Sequence, residues 1–97
     1  MSPLKVEAGD LIIIQIPEKA RKEEELPWMG RVEKVTAAKV WFWWLTIESN
    51  TNLLLPELVH PAKDNISRKN ILAKFKMDLS KKINPSLIKE LKTISGI

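Results

Sequence analysis

Short apolar runs rich in β-branched and aromatic residues, separated by polar turn clusters, mark most of this chain as strands, and only the C-terminal stretch turns to a helical period. Gly9-Asp10 reads as a turn, and Leu11 to Ile16 follows as a strand rich in β-branched side chains. Pro17 ends it, because a central strand needs every backbone donor. Glu18 to Leu26 is a charged connection whose length and polarity predict an exposed, mobile tongue. Pro27 to Val35 is the second strand, with Trp28, Gly30 and Val32 on one face. After the short link Thr36 to Lys39, the third strand runs from Val40 to Ile47. Both of its faces are apolar, Val40, Phe42 and Trp44 on one, Trp41, Trp43, Leu45 and Ile47 on the other. A strand of this kind is expected to be covered on both sides.

Glu48 to Asn52 is a turn cluster, and Leu53 to Leu55 starts a short strand that Pro56 breaks. Pro61 to Asn65 reads as irregular. Ile66 and a polar Ser67 to Asn70 insert lead into the strand Ile71 to Met77, where Ile71, Ala73, Phe75 and Met77 face away from Leu72, Lys74 and Lys76. Asn84 is a good N-cap and Pro85 suits the first helical position, where its missing N–H costs nothing. Leu87, Ile88, Leu91 and Ile94 then form one stripe, Lys89 and Lys92 point away from it, and Gly96 closes the helix. So short a helix must dock to be stable. Its expected seat is the outer face of the third strand, over Trp41 and Trp43. The elements together predict a mainly β fold, a curled antiparallel sheet with a short C-terminal amphipathic α-helix, and the resemblance given below implies that this sheet is a small SH3-like antiparallel β-barrel. It is one domain over residues 1–97, with the barrel at 9–77 and the helix at 84–95.

The chain is 97 residues long with 44% hydrophobic and 29% charged residues, as in an ordinary globular domain with one modest core. It contains no cysteine, which removes disulfides, thiolate metal sites and thiol nucleophiles together and favours a reducing compartment. Residues 1–10 lack the apolar stretch of a signal peptide, and the strongest apolar run falls far short of the ~20 residues of a membrane span. A soluble intracellular protein without membrane contact is expected. The net charge of +4 is uneven: residues 1–59 carry seven basic and nine acidic side chains, residues 60–97 nine basic and three acidic.

Gly9-Asp10 with its aliphatics through Ile14, Pro27-Trp28-Met29-Gly30-Arg31-Val32 and Val40-Trp41-Phe42-Trp43-Trp44 together resemble the SH3-like barrels of chromatin and mobile-element proteins. The similarity is to the bromo-adjacent homology, Tudor and chromo-barrel group. Asp64-Asn65-Ile66 and Asn70 to Phe75 are similar to the closing strand of a bromo-adjacent homology domain. The chain departs from the group in its shortness and in having no tyrosine. It is similar, secondarily, to the C-terminal barrels of retroelement (transposable-element) integrases. The first group implies a protein partner, the second DNA, and both imply nuclear residence.

No catalytic constellation is present. His60 is the single histidine, between Val59 and Pro61, and without cysteine it makes no structural zinc site. Three glycines cannot build a phosphate-cradling loop or a dinucleotide fingerprint, so neither a metal nor a cofactor is expected, and the chain is read as no enzyme. Glu23, Glu24 and Glu25 form a solvated run rather than a convergent cluster.

Four tryptophans are a heavy load for this length, and each buried one removes roughly 150–250 Å² from water. Core packing is the first account of them, with Phe42 and Trp44 inside the barrel. The functional account is an aromatic cage or groove for a peptide, formed by Trp28 with Trp41 or Trp43 across from it and Glu25 to meet a cation such as methyl-lysine. This supports a non-enzymatic protein-interaction module. The alternative is a sequence-independent DNA- or RNA-binding barrel using a C-terminal ridge of Arg68, Lys69, Lys74, Lys76, Lys81 and Lys82, which Lys89 and Lys92 extend. Thirteen lysines against three arginines favour phosphate contact over base reading. A monomer or weak homodimer is expected, the dimer arising if the helix leaves the outer face of the third strand bare.

Overall fold

The computed structural model describes residues 5–48, 50–56 and 63–97. These form β1 (Leu11–Ile14), the single helical turn α1 (Glu18–Arg21), β2 (Trp28–Val35), β3 (Lys39–Ile47), β4 (Leu54–Pro56), β5 (Lys63–Ser67), a 3-10 turn (Arg68–Asn70), β6 (Ile71–Phe75) and α2 (Pro85–Ser95). All strand pairs are antiparallel, in the order β4-β3-β2-β1-β6. The outer edge of β3 is shared, with β5 opposite Lys39 to Trp43 and β4 opposite Leu45 to Ile47. The small, mainly β antiparallel fold with its C-terminal helix is as expected. Its barrel is not closed, because no pairing joins β6 to β4 or β5 among the described residues.

The sheet has apolar residues on both faces and builds a core on each. Ile12, Ile14, Val32, Val40, Phe42 and Ile71, with Val6, fill the inner core, and Trp28, Val35, Trp44 and Ile66 pack around it. Leu11, Ile13, Met29, Leu45, Ile47 and Leu54 form the outer core with Ile83 and Leu91. All four residues of β1 are buried, so β1 is covered on both sides along its whole length, whereas β3, where this was expected, is covered only in part. In β3 only Val40, Phe42, Leu45 and Ile47 are buried, while Trp41, Trp43 and Trp44 are half-buried. Gly30 is needed at its place on β2, since a Cβ there would collide with the Phe42 ring that crosses it.

The C-terminal helix forms as its sequence dictates. The Asn84 side chain accepts a hydrogen bond from the Ser86 N–H at 2.8 Å, and Gly96 ends the helix at φ +78°. The N–H of Ile97 then donates to the Lys92 carbonyl at 3.0 Å. Its seat differs from the expected one. α2 packs on β1 and β6, with Leu91 fully buried and Leu87, Ile88 and Ile94 against the outer core. The reason is local. β6 immediately precedes the helix in the chain, and its outward Ala73 and Phe75 continue the surface of Leu11 and Ile13. Moving the helix over Trp41 and Trp43 would also bury Arg31, which lies directly opposite Trp43.

Three further expectations are revised. Lys63 to Ser67 pairs with β3 as a strand, although its Lys-Asp-Asn start lacks strand character, because pairing satisfies its backbone. In β6 a register shift opposite Ile13 and Ile14 leaves Leu72 as an exposed extra residue. Ile71 therefore enters the inner core while Ala73 and Phe75 face the outer one, and the single alternating face read for Ile71 to Met77 does not hold. The tongue is more than an extended connection: α1 interrupts it, and Arg21 donates to the Ile16 carbonyl at 3.1 Å and lies against Gly96 at the end of α2.

Candidate functional site

Sheet register sorts the tryptophans onto opposite faces. Trp28 pairs with Ile14 and Trp44 with Gly30, both on the inner face, where Trp28 meets Trp44 edge to face at 5.9 Å and Trp44 meets Phe42 at 4.8 Å. Phe42 is thus an inner-core residue, as read from the sequence, and Trp44 packs half-buried against that core on the same face. Trp41 and Trp43 lie on the outer face. The expected pairing of Trp28 with Trp41 or Trp43 in one cage is therefore not formed, since the sheet itself stands between them. Glu25 is exposed in the connection ahead of β2.

On the outer face, α2 leaves the Trp41 and Trp43 end of β3 uncovered, while Leu45 and Ile47 are buried. Trp43 sits between Arg31 of β2 and Lys63 of β5, and Trp41 sits between Lys34 and Asn65. Lys39 shares their face by the alternation of β3. The Lys63 ammonium lies 5.3 Å from the centre of the Trp43 ring and 3.0 Å from a carboxylate oxygen of Glu33. Beside Trp43 a cavity of about 510 Å³ opens, lined by Arg31, Trp43, Leu45, Leu54, Pro56, Leu79 and Ser80. Leu79 and Ser80 are placed by a tight turn in which the Asp78 carboxylate accepts from the Ser80 N–H at 2.9 Å and from its hydroxyl. These bonds, the hydroxyl's first, hold the Asp78 carboxyl below its ordinary pKa.

The lysine ridge does not assemble as one free surface. Lys74 is half-buried and donates to the Lys5 carbonyl. Lys76 pairs with Glu7 at 3.1 Å and with the buried Asp10 at 3.5 Å, and the Glu7 hydrogen bond leads in raising its pKa. Arg68 turns inward and donates to the Thr36 carbonyl at 2.9 Å, fixing the β2–β3 link. Lys69, Lys81 and Lys82 remain exposed. His60 lies outside the described residues. Among those described, no group of three His, Asp, Glu or Cys side chains is placed to hold a metal, and no helix is long and apolar enough to cross a membrane.

Sequence reasoning missed Arg31, Lys34, Lys63 and the cavity wall. Arg31 was within reach, since the period of β2 sets Met29 and Arg31 on the face opposite Trp28. Lys63 was not, because the strand that carries it was read as irregular. Comparison with protein-family models, with curated proteins and with solved structures returns no significant match.

Proposed function

We propose that this chain is a non-enzymatic protein-interaction module of chromatin or mobile-element type, engaging a peptide or partner domain through its outer-face indoles and the cavity beside them. The observation that carries this reading is the apolar cavity at Trp43, walled by Leu45, Leu54, Pro56 and Leu79 and left open by the helix. A concave apolar site with one charged group at its mouth suits an anchoring side chain. The resemblance to chromatin barrels supports a protein partner and nuclear residence.

An unbiased displayed-peptide selection tests it. Peptides enriched on the protein should bind with roughly micromolar affinity. They should lose about tenfold in affinity on Trp43→Ala, with little change on Trp28→Phe. Selected peptides indifferent to Trp43→Ala, or no enrichment at all, would reject the reading.

Sequence-independent DNA or RNA binding is the second reading, favoured by the exposed Lys69, Lys81 and Lys82. It is weakened by the engagement of Lys74, Lys76 and Arg68 within the fold. A labelled duplex titrated at low and physiological salt measures it. Affinity that falls steeply with salt and disappears on Lys81→Glu with Lys82→Glu would promote this reading over the first.

A further inference from the structure

We infer that the outer face takes an acidic, extended peptide segment carrying one large apolar side chain, an inference that rests on the protein-interaction reading above. The charge around the indoles is one-sided. Arg31 faces Trp43, Lys34 faces Trp41, and Lys39 lies further along the same face of β3. None of these three cations has an acidic partner among the described residues. Glu33 is already held by Lys63 at 3.0 Å.

A cationic ligand is disfavoured here. The Trp43 ring already has the Lys63 ammonium 5.3 Å from its centre, so an incoming methyl-lysine would have to displace a like charge beside two more. An acidic segment meets the opposite situation. The Arg31 guanidinium can grip a carboxylate with two parallel hydrogen bonds, and Lys34 and Lys39 add point charges along the strand. A nucleic acid fits less well, because base stacking needs the indole face that Lys63 covers. The aliphatic wall of Leu45, Leu54 and Leu79 suits the side chain of a leucine or phenylalanine. The segment is therefore one with an apolar anchor in the cavity beside Trp43 and acidic residues reaching back over Arg31 and Lys34.

The test is fluorescence anisotropy of four labelled probes on the whole chain. They are a short Asp/Glu-rich peptide with one central phenylalanine, the same peptide with serine for phenylalanine, the same with every acid replaced by its amide, and an oligothymidylate. The first should bind with roughly micromolar affinity, and the second and third about tenfold more weakly. Binding of the first should weaken as salt rises. Arg31→Glu with Lys34→Glu should cost a further tenfold or so while the thermal melt stays cooperative. The salt titration of the unaltered protein gives the same information should that variant not fold. Equal binding of the acidic and amide peptides, both lost on Trp43→Ala, would overturn the acidic partner and leave the interaction module standing. Tighter binding of the oligothymidylate than of any peptide would overturn both. Failure of all peptides, together with an empty peptide selection, would also overturn both.

Discussion

The two halves of the outer sheet face, side by side on one antiparallel sheet, solve the same problem in opposite ways. On the β1 and β6 half, Leu11, Ile13, Ala73 and Phe75 make an apolar surface bordered by Arg31 opposite Leu11, and α2 closes over it until Leu91 is fully buried. On the β3 half two indoles lie on the face, yet Trp41 and Trp43 are only half-buried. What separates the halves is the company each apolar side chain keeps. Arg31, Lys34 and Lys39 and the Lys63–Glu33 pair neighbour the indoles, and a helix stripe laid over them would have to desolvate Arg31, Lys34 and Lys39, which have no acidic partner among the described residues. Hydrophobic load alone does not decide what a docking element covers. The charges beside it decide.

The largest expected effect breaks the covered half. Leu91→Ala removes a fully buried side chain from the outer core and should cost about 2–5 kcal/mol. Thermal melting followed by circular dichroism should register this as a drop of well over roughly 5 °C. Asn84→Ala acts on the same half through the helix start, where the side chain caps the Ser86 N–H, and should cost about 1 kcal/mol in a urea titration. Trp41→Thr, on the uncovered half, should change stability by no more than about 1 kcal/mol, threonine being at home in a strand and the indole half-exposed. A Trp41→Thr protein as destabilised as Leu91→Ala would mean that the two halves are equally structural, and the contrast would fail.

Local chemistry was legible in the sequence wherever one residue type has one physical use. Asn84, Pro85 and Gly96 mark the helix ends, and Gly9 turns at φ +91° where the Gly9-Asp10 turn was read. The inner face of β3 was legible too, because Val40, Phe42 and Trp44 obey the period of two. Three things were not legible. Lys63 to Ser67 became a strand through pairing with β3, which no local propensity signals. The extra residue Leu72 reversed the face of Ile71, and a single insertion leaves no mark on an alternating pattern. The seat of α2 depends on which neighbouring strand carries charge, and that requires the sheet order. The site followed from these. Trp41 and Trp43 were named from composition, but their separation from Trp28 is a property of the register, and the cations around them come from two different strands.

The smallest expected effect lies at the edge of the uncovered half, in the turn that carries Leu79 and Ser80 to the cavity wall. The Asp78 carboxylate accepts from the Ser80 hydroxyl and from the Ser80 N–H at 2.9 Å, and these bonds favour its ionised form, so its pKa in the folded chain lies below the ordinary value. A carboxyl depressed on folding contributes stability that is fully present above its unfolded pKa, near about 3.9, and is lost as pH falls through the lower folded value. The group is exposed, so the melting temperature should hardly move. The Ser80 amide resonance is the sensitive reporter. It should shift as pH falls into the acid range, with a midpoint below that of a free aspartate. Asp78→Asn should abolish this titration while leaving Leu91 and the covered half unchanged. It should weaken a cavity-anchored peptide slightly, because a neutral amide oxygen accepts the Ser80 bonds across Leu79 less strongly than the carboxylate does. A Ser80 shift with the midpoint of a free aspartate would mean that the turn is open in solution, and the cavity wall would then form only when a ligand closes it.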